Sequence, residues 1–306
     1  MIQKVLDEAL EYAKVHLKEG NVADYIPELA KVDPDKIGVS IVTTDGKHYC
    51  AGDWDQTFTA QSIAKTISFI LAMQTAGAKK VFDHVGVEPT GDPFNSILKL
   101  ELKDGKPLNP MINAGAIAVV SCIEGDDPIG QFLALARRLC RRDTIEIDQA
   151  VYRSEKATGM RNRALAYFMQ SEGLIEQNVE DVLDVYFQIC SLSVTTQDLA
   201  TCGMILANDG VDPFTGERLV DNSILRVIKS LMVTCGLYDG SGEFAVRVGL
   251  PTKSGVGGGM MSAVEGKMGI GVFSPRLDDK GNSVCSYHML EYISNHLKLH
   301  YFSSHN

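Results

Sequence analysis

In the opening segment, apolar side chains recur at Ile2, Val5, Leu6, Ala9, Tyr12 and Ala13. That three-and-four spacing places one stripe along a helix. The period then changes. Residues 37–44 and 47–51 are β-rich runs joined by Asp45-Gly46, and an Asp-Gly pair between two such runs predicts a hairpin. A helix follows, entered near Thr59 or Ala60, striped by Ile63, Ala64, Ile67, Ile70 and Leu71, and stopped at Gly77, since glycine readily takes the left-handed conformation that ends a helix. Residues 87–110, rich in Pro, Gly, Asn and Asp, predict a long loop. From 129 to 208 the pattern is mostly helical, with a polar break at 161–163 and a closing cap and turn at Asn208-Asp209-Gly210. Residues 260–264 and 268–274 read as strands, 278–282 as a turn and 284–299 as a last helix.

Strands toward both ends with helices between them predict one sheet drawn from both parts of the chain, with a helical insertion. The expected division is an α/β sheet domain of residues 1–58 and 218–306 and an all-α domain of residues 59–217.

Composition narrows the function classes. The 306 residues are 45% hydrophobic and 22% charged, the usage of a globular protein with a substantial core. Acidic residues outnumber basic ones 39 to 29, for a formal charge of −10, which argues against a nucleic-acid surface because phosphate binding needs clustered cations. No apolar run approaches the length of about 20 residues that spans a bilayer, so no membrane partner is expected. The first residues lack an unbroken apolar signal core. The seven cysteines are spread without a CxxC. Both features point to a reducing cytoplasm. His296 and His300 stand four apart without a carboxylate in register, so neither a metal nor another cofactor is expected. The run Gly255-Val256-Gly257-Gly258-Gly259 lacks the Lys-Ser/Thr of a phosphate loop and leads into a strand.

The candidate chemistry lies at Ser62-Ile63-Ala64-Lys65. A serine hydroxyl becomes a nucleophile only beside a base. At i and i+3 on a helix, Lys65 can reach Ser62, and burial lowers a lysine pKa toward the neutral amine. The first turn of a helix also offers free N–H groups to an oxyanion. The pattern S-x-x-K occurs twice, the second time at Ser96–Lys99 in a segment that reads as extended. Lys253-Ser254-Gly255 is the only K-[ST]-G in the chain and precedes a strand. In serine acyl-transferases, S-x-x-K opens a helix and K-[ST]-G lies on a neighbouring strand. The residue after that glycine, here Val256, gives its N–H to the oxyanion hole together with Ser62. The middle S/Y-x-N of β-lactamases and DD-peptidases is absent at its place, where Tyr186-Phe187-Gln188 stands instead.

With these residues in hand, the chain resembles the glutaminases, L-glutamine amidohydrolases of serine β-lactamase-like (penicillin-binding-like) fold. The resemblance rests on collinear stretches over about residues 21–290: Asp24-Tyr25-Ile26-Pro27, Gln61-Ser62-Ile63-Ala64-Lys65, Pro93-Phe94-Asn95-Ser96, Asn109-Pro110-Met111-Ile112-Asn113-Ala114-Gly115-Ala116, Ser154-Glu155, Arg161-Asn162, Tyr186-Phe187-Gln188, Gly236-Leu237-Tyr238, Val248-Gly249-Leu250-Pro251, Lys253 through Gly259, and Phe273-Ser274-Pro275. It implies a site at the seam of the two domains. There Ser62 is the nucleophile, Lys65 its base, and the N–H groups of Ser62 and Val256 form the oxyanion hole. Tyr186 or Tyr238 relays the leaving-group proton, and which of them does so is left open by the residues. Glu155 pairs with the substrate ammonium, Asn113, Asn162 and Tyr186 hold the amino-acid head, and Tyr25 walls the pocket. The resemblance further implies a homodimer or homotetramer.

Overall fold

The computed structural model describes residues 1–90 and 105–303. Strands β1 (Gly38–Thr43) and β2 (His48–Gly52) form the expected hairpin, with Val39 opposite Ala51 and Ile41 opposite Tyr49. Its turn places Gly46 at φ +84°, a conformation that costs glycine little. Strands β3 (Thr252–Ser254), β4 (Gly259–Val264) and β5 (Met268–Phe273) complete one antiparallel sheet in the order β2-β1-β5-β4-β3. The central pair, β1 with β5, sets Gly38 opposite Phe273 and Ile41 opposite Ile270, so strands from early and late in the chain share one ladder.

The described α-helices run α1 (Ile2–Lys14), α2 (Ala64–Thr75), α3 (Gly77–His84), α4 (Asn113–Cys122), α5 (Pro128–Cys140), α6 (Gln149–Thr158), α7 (Met160–Ser171), α8 (Val179–Cys190), α9 (Thr196–Ala207), α10 (Asn222–Cys235), α11 (Ser241–Arg247) and α12 (Val284–Leu297). Alternation along the strands sends Val39, Ile41, Met260, Ile270 and Val272 into a core with α1 and α12. The opposite face, with Val42, Met261, Ala263 and Phe273, joins the larger helical core. A third, small cluster joins Ala23, Ile26 and Leu29 to Val151, Val256 and Leu277, with Tyr238 packed against it.

Helix α9 lies directly on the sheet, and three glycines set how closely. A Cβ on Gly269 would overlap Ala200 O and Met204 N, one on Gly271 would overlap Thr196 O, and one on Gly203 would overlap Ser262 O. Helix backbone therefore rests on strand backbone. A buried hydrogen bond of 2.7 Å between the hydroxyls of Ser40 and Thr196 fixes the rotation. Every residue from Ala64 to Met73 of α2 is buried, as expected of a helix that is apolar on all sides and central to its bundle. Helices α4, α5 and α8 pack around it.

Several boundaries differ from the sequence expectation. Phe58–Thr59 pairs with Ser193–Val194 as a two-residue ribbon, a 3-10 turn follows at Gln61–Ile63, and α2 begins only at Ala64. Gly77, at φ +80°, ends one helix and at once starts α3. The polar residues 161–163 lie inside α7, and the break falls at Gly159, where a Cβ would strike the Phe187 ring. The interruption falls at the glycine, not at the polar residues. The last helix ends at Leu297, with Lys298 left-handed at φ 52°. Helices α3, α4, α10 and α11 have no counterpart in the sequence reading. Within the expected loop of 87–110, residues 91–104, including the second S-x-x-K, lie outside the described residues. Among the described residues, no helix is long and apolar enough to cross a membrane.

The backbone-on-backbone contact makes a stability prediction. Gly271→Ala should destabilise the protein by about 1–3 kcal/mol, the range for overpacking, read as a lower urea midpoint at unchanged slope. Gly242→Ala in α11, where a Cβ meets open space, should instead raise stability by about 0.5–1 kcal/mol.

Candidate active site

Ser62 sits in the tight turn Gln61–Ile63, just ahead of α2. Its predecessor Gln61 has φ +50°, a conformation that costs a non-glycine residue about 1–2 kcal/mol and persists only where the surroundings enforce it. The enforcement comes from the loop after β3. A Cβ on Gly255 would meet Ala60 O, and one on Gly257 would overlap Thr59 O. Only glycines let this loop press against the serine turn, and Val256 is carried in between them. Among the described residues, neither the N–H of Ser62 nor that of Val256 donates to a backbone acceptor.

Lys65, one turn on, is 1% exposed. Its Nζ donates to Asn113 Oδ1 at 2.7 Å and to Met111 O at 3.2 Å. Burial pulls its pKa down to about 8, opposed by the nearby Cys190 and Glu155. The acceptors are presented by a side-chain-built turn. Asn109 Oδ1 takes the N–H of Met111 at 2.9 Å and of Ile112 at 3.3 Å, and Asn109 Nδ2 donates to Glu88 O. Asn113 then opens α4, and its Nδ2 donates to Asn162 Oδ1 at 3.0 Å. Asn162 lies inside α7.

Glu155 on α6 is 6% exposed. Burial raises its carboxyl pKa to about 7 against a hydrogen bond from Gln61 and the charge of Lys65. Gln61 also donates to Thr59 Oγ1 at 3.2 Å, so one side chain ties the serine turn to the acid. Tyr186 on α8 is buried, and its phenol, raised in pKa chiefly by that burial, faces Cys190 one turn later. The Cys190 thiol is itself pushed up to about 12 by burial. Tyr25 is half-exposed.

On the sheet side, Lys253 is fully buried. Its Nζ donates to Gly236 O at 3.0 Å and Ser254 O at 2.7 Å, and stands 4.5 Å from the centre of the Tyr238 ring. Burial, with the charge of Lys65 beside it, lowers its pKa well below the ordinary lysine value. The Tyr238 hydroxyl faces those of Ser62 and Ser254, and burial raises its pKa to about 12.

Ser62, Lys65, Asn113, Glu155, Asn162, Tyr186, Tyr238 and Val256 are thus drawn together from seven separate stretches of chain. His300 is not on a helix with His296; it lies past the end of α12, with Nε2 beside Ala245 O at 3.1 Å. Sequence reasoning passed over three neighbours of the site: Gln61 as a bridge, Cys190 as the group facing Tyr186, and Asn282, which holds Ser254 at 2.7 Å. The Asp278–Asn282 turn signal marked the last of these as a turn residue only.

Residues 20–302 match the family model described as Glutaminase. Glutaminase 2 of Clostridium perfringens is 51% identical over 305 residues, covering 98% of this chain and all of the relative. The glutaminase of Clostridium tetani is 51% identical over 306 residues, covering 99% of this chain and all of that one. Among solved structures, a probable glutaminase, ybaS, superposes with a TM-score of 0.95 at 40% identity, covering 99% of this chain and 98% of that one. A probable glutaminase from Bacillus subtilis in complex with 6-diazo-5-oxo-L-norleucine gives 0.90 at 36% identity, covering 98% and 97%. A site of this make-up, inside a chain that matches from end to end, admits one family: the chain belongs to the glutaminases, enzymes that hydrolyse an amide.

Proposed function

We propose that the protein hydrolyses the side-chain amide of L-glutamine to L-glutamate and ammonia through an acyl-enzyme on Ser62. The observation that carries this reading is the buried lysine one turn from the serine. As a neutral amine, Lys65 has two N–H bonds and one lone pair, and Asn113 Oδ1 and Met111 O account for both N–H bonds. The lone pair is left to take the Ser62 proton as Oγ attacks the amide carbon. The resulting oxyanion accepts from the N–H groups of Ser62 and Val256, where one donor is worth about 2.7–4 kcal/mol.

Collapse breaks the C–N bond, and the leaving nitrogen takes a phenol proton and departs as ammonia. Tyr238 is the better donor, since its hydroxyl faces Ser62 while that of Tyr186 faces Cys190. Water then attacks the ester and returns a proton to the phenolate, while Ser62 recovers its own from Lys65. At the substrate's other end, the Glu155 carboxylate pairs with the α-ammonium, and Asn113, Asn162 and Tyr186 hold the head group. The Bacillus subtilis relative's ligand is an α-amino acid with a diazoketone at the amide position, which fits such a pocket.

The same reading takes the fold as serine β-lactamase-like, divided into residues 1–58 with 218–306 and the insertion 59–217. It takes the enzyme as a cytoplasmic homodimer or homotetramer, a state that light scattering measures directly.

Two measurements test the chemistry. Purified protein should release ammonia from L-glutamine and far less from L-asparagine, whose amide carbon falls one methylene short, and Ser62→Ala should abolish release. Glutamine binding with no turnover by the intact protein would sink the proposal. The pH profile follows from the two shifted groups, both active when deprotonated. As pH rises through about 7 and about 8, Glu155 and then Lys65 lose their protons, so kcat/KM should climb through both, and log(kcat/KM) should reach a slope of two per pH unit on the acid side. Glu155→Gln should raise KM about 10- to 100-fold, the value of a charged hydrogen bond, and leave only the lysine ionisation in the profile.

A further inference from the structure

Asn282 lies in the turn ahead of α12 and is 2% exposed. Its backbone is pinned: its N–H donates to Asp278 Oδ1 at 2.9 Å, and its carbonyl accepts from the Asp278 N–H at 2.8 Å. Its side chain bridges two segments of the site. Nδ2 donates to Leu237 O at 3.3 Å, and Oδ1 accepts the Ser254 hydroxyl at 2.7 Å. A backbone carbonyl can only accept, so Leu237 fixes the amide with its oxygen toward Ser254.

Ser254 has one proton, and Asn282 takes it at 2.7 Å, with Gly236 O a longer alternative at 3.3 Å. Toward the phenol of Tyr238, Ser254 therefore turns a lone pair. The Tyr238 hydroxyl faces both Ser254 and Ser62, and a neutral phenol can donate to that lone pair. The backbone needs the same bridge. Tyr238 is held at φ +54°, and such a non-glycine residue persists only where its neighbours over-determine it. They do so here: Asn282 holds Leu237 O, the Ser241 hydroxyl takes the Leu237 N–H at 3.0 Å, and the N–H of Ser254 donates to Gly236 O at 3.1 Å.

We propose that Asn282 is a positioning residue for Tyr238: by holding the Ser254 proton and the Leu237 carbonyl, it orders the hydroxyls Ser254, Tyr238 and Ser62 and seats the phenol at the nucleophile. The inference rests on Tyr238 serving Ser62 in the proposed reaction.

A double-mutant cycle on the full-length protein tests it, with kcat and KM for L-glutamine and the thermal midpoint measured for each variant. Asn282→Ala should lower kcat about 10- to 100-fold, part of what a positioned acid contributes, with KM changed less than about threefold. In a Tyr238→Phe background the same change should cost nothing further. A pH profile adds a readout that lost stability cannot imitate. Freed from Asn282, the Ser254 hydroxyl can donate to the phenol oxygen and favour the phenolate, so the alkaline limb of kcat should move to lower pH. Should Asn282→Ala fail to fold, Ser254→Ala carries the same cycle. If Tyr238→Phe costs activity but the second change multiplies the loss in full, Asn282 acts elsewhere and the inference falls while the role of Tyr238 stands. If Tyr238→Phe alone leaves kcat unchanged, both fall.

Discussion

Two lysine side chains buried in one site set the terms for everything around them. An ammonium taken from water is costly unless its protons are received and its charge is answered. Lys65 and Lys253 meet that cost mostly with backbone carbonyls: Met111 O for one, Gly236 O and Ser254 O for the other, with Asn113 Oδ1 added to the first. The carbonyls must be turned inward by local structure. The Asn109 side chain bends residues 109–112 to present Met111, and a strained turn at Tyr238 presents Gly236. What remains of the desolvation cost appears as the lowered pKa of both amines. A solvated lysine would stay fully charged at neutral pH; the packing of α2 is what gives this one access to its neutral form.

The sheet supplies the second fixed wall. Its edge strand β3 carries Lys253 and Ser254, and the loop beyond it reaches the serine turn because glycines at 255 and 257 remove the side chains that would hold it off. Close backbone approach recurs where α9 rests on β4 and β5. The molecule thus uses glycine for distance more than for flexibility. Bulk at either place would change a spacing in the site or beneath it.

Much of this was legible in advance. The hairpin followed from Asp45-Gly46, although the connection is the three residues Thr44-Asp45-Gly46, with Gly46 alone left-handed. Ser62, Lys65 and Lys253 stood out because their chemistry needs particular residue types at short, fixed spacings. What could not be read was tertiary. The break falls at Gly159, where the Phe187 ring leaves no room for a Cβ, and the polar residues 161–163 were a false marker of it. Gln61 adopts a left-handed backbone that no local pattern demands. Asn282 matters through partners at Leu237 and Ser254, too far along the chain for any periodicity to connect.

The pairing of β1 with β5 also has a consequence in time. Gly38 waits for Phe273 before the central ladder of the sheet can close, and contacts so distant in sequence form slowly, after the chain has given up the entropy of a long loop. On the ribosome, the serine turn emerges long before the loop that supplies Val256. The left-handed backbone at Gln61 therefore lacks the neighbours that hold it until that loop has been made.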